Sequence, residues 1–126
     1  KLTREQVDLL DESKLNRILK ADIFKELTGY KLYREQPFVV ALPADEISEY
    51  SAKDDILVQG VIDLLAIKDG AAIIVDYKNS SKNADELKLR YEKQLAIYKR
   101  AVEKTLRLRV EKTILFNLTT LDEIPV

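Results

Sequence analysis

The 126-residue sequence contains no histidine, cysteine, methionine or tryptophan. Without cysteine it has no disulfide framework, no thiolate zinc site and no cysteine-ligated iron–sulfur cluster. Without histidine it lacks the commonest general base and the commonest transition-metal ligand. Catalysis in this chain must therefore run on carboxylates, lysines, tyrosines or a hard cation. Glycine and proline number three each, so turn signals are few and each one is informative. No apolar run approaches the roughly 20 residues that cross a bilayer, and the N-terminus has no basic segment followed by an apolar one. No membrane partner is expected, and the expected location is cytoplasmic. A surplus of either charge is missing too. With 21 basic and 22 acidic residues the net charge is −1, which is not the balance of a domain that holds nucleic acid by phosphate neutralisation alone.

Hydrophobic residues make up 46% and charged residues 34% of the chain, the balance of a folded globular protein. The length suits a single domain over residues 1–126. The chain starts at Lys1 and has no methionine, so it reads as a piece of a larger polypeptide.

Apolar residues recur at helical spacing over residues 3–27, with a break expected near Asp11 to Ser13 and Gly29 as a C-terminal cap. Residues 30–41 (YKLYREQPFVVA) read as a strand in which Pro37 argues for an edge or a bulge. A polar loop is expected over 43–54. The next stretch, ILVQGVIDLLAIK, Asp69-Gly70 and AAIIVDYK, is the strongest hairpin signal in the chain. Both strands are apolar on both faces, which places them inside a sheet covered on each side. Residues 84–105 predict a long amphipathic helix with an inner stripe of Leu87, Tyr91, Leu95, Tyr98, Ala101, Val102 and Leu106. A short basic connection then leads to a last strand, KTILFNL, over 112–118. Helices, three strands, a helix and a strand describe an α/β fold, a mixed sheet flanked by helices.

Within the hairpin, a two-residue turn pairs Lys68 with Ala71 and carries the register down to Asp63 opposite Asp76. Directly opposed side chains share a face about 5 Å apart, here among Val61, Leu65, Ala72 and Ile74. At an effective dielectric near 20, two like charges at that distance repel by roughly 3 kcal/mol before desolvation is counted. A divalent cation held by one or two carboxylates relieves the repulsion. Lys78 lies two residues past Asp76, on the same face one pleat along, where an ammonium can position water or offset phosphate charge. The plainer alternative is an ordinary Asp76–Lys78 ion pair with Asp63 near water. On the long helix, Tyr91, Gln94 and Tyr98 share one face. They are either core and boundary residues or groups that orient Lys78 or hold a phosphate.

Four segments carry a family resemblance: REQPF at 34–38, GVIDLL at 60–65, IIVDYKN at 73–79 and YEKQLAIY at 91–98. Together, over about residues 30–118, the chain resembles the RecB-like branch of the PD-(D/E)xK nucleases. The resemblance implies a restriction-endonuclease-like fold and a deoxyribonuclease, an exonuclease in DNA double-strand break processing. It implies Mg²⁺, with Mn²⁺ as a substitute, bound by Asp63 and Asp76, and Lys78 assisting catalysis. Gln94 and Tyr98 match the family's Q-x-x-x-Y element, and Glu35 matches an acid given a structural role. It further implies DNA as substrate, a helicase domain in the same chain and a second helicase–nuclease subunit. Two departures stand out: Asn79 replaces the usual Thr, and the family's upstream histidine ligand has no counterpart. The alternative from another class is a non-cutting DNA- or partner-binding module of the same fold.

Overall fold

The computed structural model describes residues 22–47 and 54–126. The helical break expected near Asp11 to Ser13 lies outside the described residues. The elements are α1 (Asp22–Glu26), β1 (Lys31–Pro43), α2 (Ala44–Ile47), β2 (Asp55–Lys68), β3 (Ala71–Lys78), α3 (Ala84–Leu106), β4 (Arg109–Asn117) and β5 (Glu123–Pro125). All strands join one mixed sheet in the order β1-β2-β3-β4-β5, parallel only between β3 and β4. Pro37 is tolerated because β1 is an edge strand.

The sheet is covered on both faces. Ile23 and Leu27 pack on Leu64, Ala66, Ile73, Val75, Tyr77 and Phe116 on one side. On the other, Ala101 and Val102 of α3 pack on Phe38, Val40, Leu42, Ile62, Leu65 and Ile74. The N-terminal half of α3 seats Leu87 and Leu95 against Leu115 and Ile124. Asn83 caps α3 by accepting from the Glu86 amide at 2.9 Å. Gly60 has a steric cause: a Cβ there would come within 2.9 Å of the Phe38 ring, which stands edge-on to Tyr98.

The Asp69-Gly70 turn has both central residues at positive φ, 50° and 78°, as a twisted hairpin requires. Register follows from Lys68↔Ala71 to Leu64↔Val75, and there the β2–β3 ladder stops. Beyond it β2 stays with β1, while β3 stays paired with β4 as far as Lys78↔Asn117. The sheet therefore forks at Asp63 and Asp76.

Both β1 and β2 change phase at the fork. On the α3 side, β2 presents Ile67 and Leu65 and then Ile62; β1 presents Tyr33 and then Phe38, Val40 and Leu42. Odd positions give way to even ones in both strands, between Arg34↔Leu64 and Gln36↔Ile62. The residues at the phase change are Glu35, with φ of 51°, and Asp63. A paired irregularity of this kind bends the two strands together and leaves their register intact.

Several expectations are corrected. Strict alternation put Val61 beside the acids, but the phase change turns it outward and it is half exposed (49%). Leu106 was expected on the inner stripe of the helix, yet it ends α3 at 47% exposure. The polar loop after β1 begins with a turn of helix, α2. The basic connection is part of β4, since Arg109 already pairs with Ala71, and β5 was not anticipated.

Candidate active site

The fork places Asp63 and Asp76 together, though not as a ladder pair. Bonded pairs alternate along an antiparallel ladder, and counting from the turn-closing Lys68/Ala71 pair the next after Leu64/Val75 would be Ile62/Tyr77. At that point the Tyr77 amide donates instead to Oδ2 of Asp63, at 2.8 Å. The Asp63 side chain thus takes over a bond that the main chain of β2 gives up, and its carboxylate lies alongside β3.

Asp76 is 4% exposed on the α3 side of β3. Its carboxyl is pushed up to about 6, first by burial, with the Asp63 carboxyl adding to the rise and Lys78 opposing it. Oδ2 of Asp76 is 3.0 Å from Nζ of Lys78, close enough to pair in charge but out of line for a hydrogen bond. One buried carboxylate oxygen is therefore without a hydrogen-bond donor.

Three groups hold the Lys78 ammonium. Asp76 attracts it, Oε1 of Gln94 accepts from it at 3.3 Å, and the Tyr91 ring lies under it at 4.0 Å. Nε2 of Gln94 donates in turn to the Tyr98 hydroxyl at 3.1 Å. The Tyr98 hydroxyl is itself pushed up by burial and by the charges of Asp76 and Asp63. All six residues singled out from the sequence, Asp63, Asp76, Lys78, Tyr91, Gln94 and Tyr98, thus meet at one place. Glu35 stays exposed on β1, across the strand pair from Asp63.

Sequence reasoning missed Asn117. It is 1% exposed, and its side chain accepts from the amides of Ser80 (3.3 Å) and Thr119 (2.9 Å) and donates to the Ser80 carbonyl (2.9 Å). Its register partner is Lys78 itself, so it ties down the chain immediately beyond the lysine. A lone Asn in the apolar run TILFNL was the available signal. Asn79, where the resemblance leads one to expect Thr, accepts a hydrogen bond from the Thr119 hydroxyl.

The donor set suits a hard divalent cation: two adjacent carboxylates, one of them disfavoured as a bare anion by burial and by its neighbour. Among the described residues no further histidine, cysteine, aspartate or glutamate joins them.

A mixed sheet that forks at two acids, with a lysine two residues on and a helix packed over it, defines a nuclease-type α/β fold. The family model of the PD-(D/E)XK nuclease superfamily matches residues 4–122, and the chain belongs to that superfamily. It is 35% identical, over 99% of its length, to an ATP-dependent helicase/nuclease subunit of Oceanobacillus iheyensis, and covers 11% of that protein. To the protein of the same name from Carboxydothermus hydrogenoformans it is 34% identical over 99% of the chain and 11% of the relative. To that of Desulforudis audaxviator it is 34% identical over 94% and 10%. The chain spans about a tenth of the length of these relatives. No helix among the described residues is long and apolar enough to cross a membrane.

Proposed function

We propose that the chain is the cutting domain of a helicase–nuclease, a divalent-metal-dependent exonuclease that hydrolyses DNA phosphodiester bonds during double-strand break processing in the cytoplasm. The carrying observation is the convergence of Asp63, Asp76 and Lys78 at the fork. In this reading Asp63 and Asp76 hold Mg²⁺, or Mn²⁺ in its place. When bound, such an ion acidifies water and neutralises phosphate charge.

The protein's own groups supply the rest. Lys78 presents an ammonium to the phosphate, where negative charge grows as the bond to the attacking oxygen forms. Gln94 and Tyr91 keep that ammonium from collapsing wholly onto Asp76, and Tyr98 fixes the Gln94 amide. The net charge of −1 fits delivery of the strand by a helicase domain in the same polypeptide, partnered by a second helicase–nuclease subunit.

The rival, a non-cutting module of the same fold, has one observation in its favour: only two carboxylates meet among the described residues. Asp76→Ala and Lys78→Ala in the full-length polypeptide decide between them. Both should abolish Mg²⁺-dependent DNA hydrolysis with the fold retained. Undiminished hydrolysis in either variant sinks the nuclease assignment to these residues, and a wild type that binds DNA but cuts none with either metal favours the rival.

A further inference from the structure

Without a metal ion the fork carries two carboxylates and one ammonium, and an ion bound there acts on the reacting phosphate, so a hold on the neighbouring phosphates falls to other cations. Four basic groups on or beside α3 are engaged elsewhere. Arg100 is paired with Glu46, Arg109 with Glu111 and Lys112 with Glu26, while Lys104 donates to the Ala41 carbonyl. Lys88 and Lys99 line a groove toward β4 that also holds Glu92 and Glu111.

Arg90 and Lys93 of α3 are both exposed and make no ion pair or hydrogen bond among the described residues, and Arg90 is set apart by its contact with a ring of the site. Adjacent residues on a helix do not normally face one another, yet its guanidinium curls back to 5.6 Å from the centre of the Tyr91 ring. The same ring carries the Lys78 ammonium at 4.0 Å. The guanidinium and the ammonium are therefore no further apart than those two distances together. That span corresponds to at most about three nucleotides at ~3.4 Å rise each.

We propose that Arg90, seated on Tyr91, is the phosphate-binding residue that holds the nucleic-acid strand beside the scissile bond. This rests on the nuclease reading above. A planar guanidinium forks onto two phosphate oxygens, and the ring beneath it fixes its direction with little loss of side-chain freedom. Tyr91 then spans two cations with different tasks: Lys78 faces the reacting phosphate, and Arg90 takes a neighbouring one. Contact with phosphate alone reads no base, so the hold is the same on every sequence, as suits a strand fed through continuously.

The test compares wild type, Arg90→Ala and Arg90→Lys in the full chain, with Lys99→Ala as the control from the opposite flank of α3. Binding of labelled single-stranded oligonucleotides of several base sequences is followed by anisotropy in EDTA across a range of salt, and cleavage is followed with Mg²⁺. Arg90→Ala should weaken binding and raise KM by roughly tenfold, equally for all sequences, and lower the salt slope by about one. Its kcat should stay within about twofold of wild type. Arg90→Lys should recover part of the loss, and Lys99→Ala should match wild type. Unchanged affinity and salt slope in Arg90→Ala overturn the proposal. So does a fall in kcat at constant KM, which would make Arg90 a positioning residue acting through Tyr91 and Lys78. A wild type that cuts no DNA sinks the nuclease reading instead, and the EDTA binding series still decides the role of Arg90.

Discussion

Oδ2 of Asp63 accepts the main-chain amide of Tyr77 at 2.8 Å, so the carboxylate nearest the fork also closes the sheet where the ladder stops. Removing the acceptor strands a half-buried N–H, and an unsatisfied donor costs about 1–3 kcal/mol. Asp63→Ala should therefore lose about that much in urea unfolding. Asp63→Asn keeps an amide oxygen for the same bond and relieves the repulsion with Asp76, so it should fall within about 1 kcal/mol of wild type. Equal stability of the Ala and Asn variants would show that the bond contributes nothing.

Asp76 gives stability a pH dependence of known sign. Its folded carboxyl lies at about 6, against an ordinary value of 3.8, chiefly because burial disfavours the anion. Below 3.8 both folded and unfolded chains hold the proton. Between 3.8 and 6 the folded chain holds more of it, so stability falls as pH rises through that window and stays low above it. About two pH units at ~1.4 kcal/mol each amount to a loss of up to about 3 kcal/mol. Asp76→Asn lacks this loss. The stability difference, Asn variant minus wild type, should grow from pH 4 to pH 7; a constant difference refutes the shift.

The hairpin, its register as far as Leu64↔Val75, the long helix and the meeting of the six named residues were legible because period-two and helical patterns and one Asp-Gly turn place side chains without any long-range information. What failed has a common cause. Register counted from the turn is right as far as Leu64↔Val75, but nothing local announces that β2 leaves β3 there, nor that β1 and β2 shift phase together at Glu35 and Asp63. Val61 was therefore put on the wrong face, and the acids were expected as a ladder pair when the Asp63 side chain in fact replaces the ladder. The three-residue β5 carries no pattern long enough to read, and it exists by pairing with Ile114, Leu115 and Phe116. The lone Asn117 in TILFNL marks a buried polar group, but its task is not legible locally, since its partners at Ser80 lie 37 residues away.

Those Asn117 bonds give a third expectation. Asn117→Ala leaves the Ser80 and Thr119 amides and the Ser80 carbonyl without their partner in a part-buried place. The cost should be about 2–3 kcal/mol, and kcat should fall because the chain beyond Lys78 loosens. Asn117→Asp keeps the acceptor for both amides and loses only the donor to Ser80, but it buries a charge. It should be at least as destabilised as Asn117→Ala at pH 7 and should recover on acidification. Thermal melts of wild type and both variants at pH 5 and pH 7 check this, and a difference between the Asp variant and wild type that does not change with pH would contradict the buried placement.

The last expectation concerns metal, whose effect on stability needs no turnover to be observed. Asp63 and Asp76 repel when bare, and an ion between them removes that penalty in the folded chain only. By mass action, Mg²⁺ or Mn²⁺ at ten times its dissociation constant should stabilise wild type by about 1.4 kcal/mol relative to chelator. Asp63→Asn and Asp76→Asn each remove one anionic ligand, so both should respond much less. The control is Gln94→Ala, which leaves both carboxylates in place and should keep the full response while disturbing Lys78. Paired melts in EDTA and in millimolar metal measure all four proteins. A wild-type gain shared equally by the two Asn variants would mean that the ion binds elsewhere, and the pair would then be no metal site.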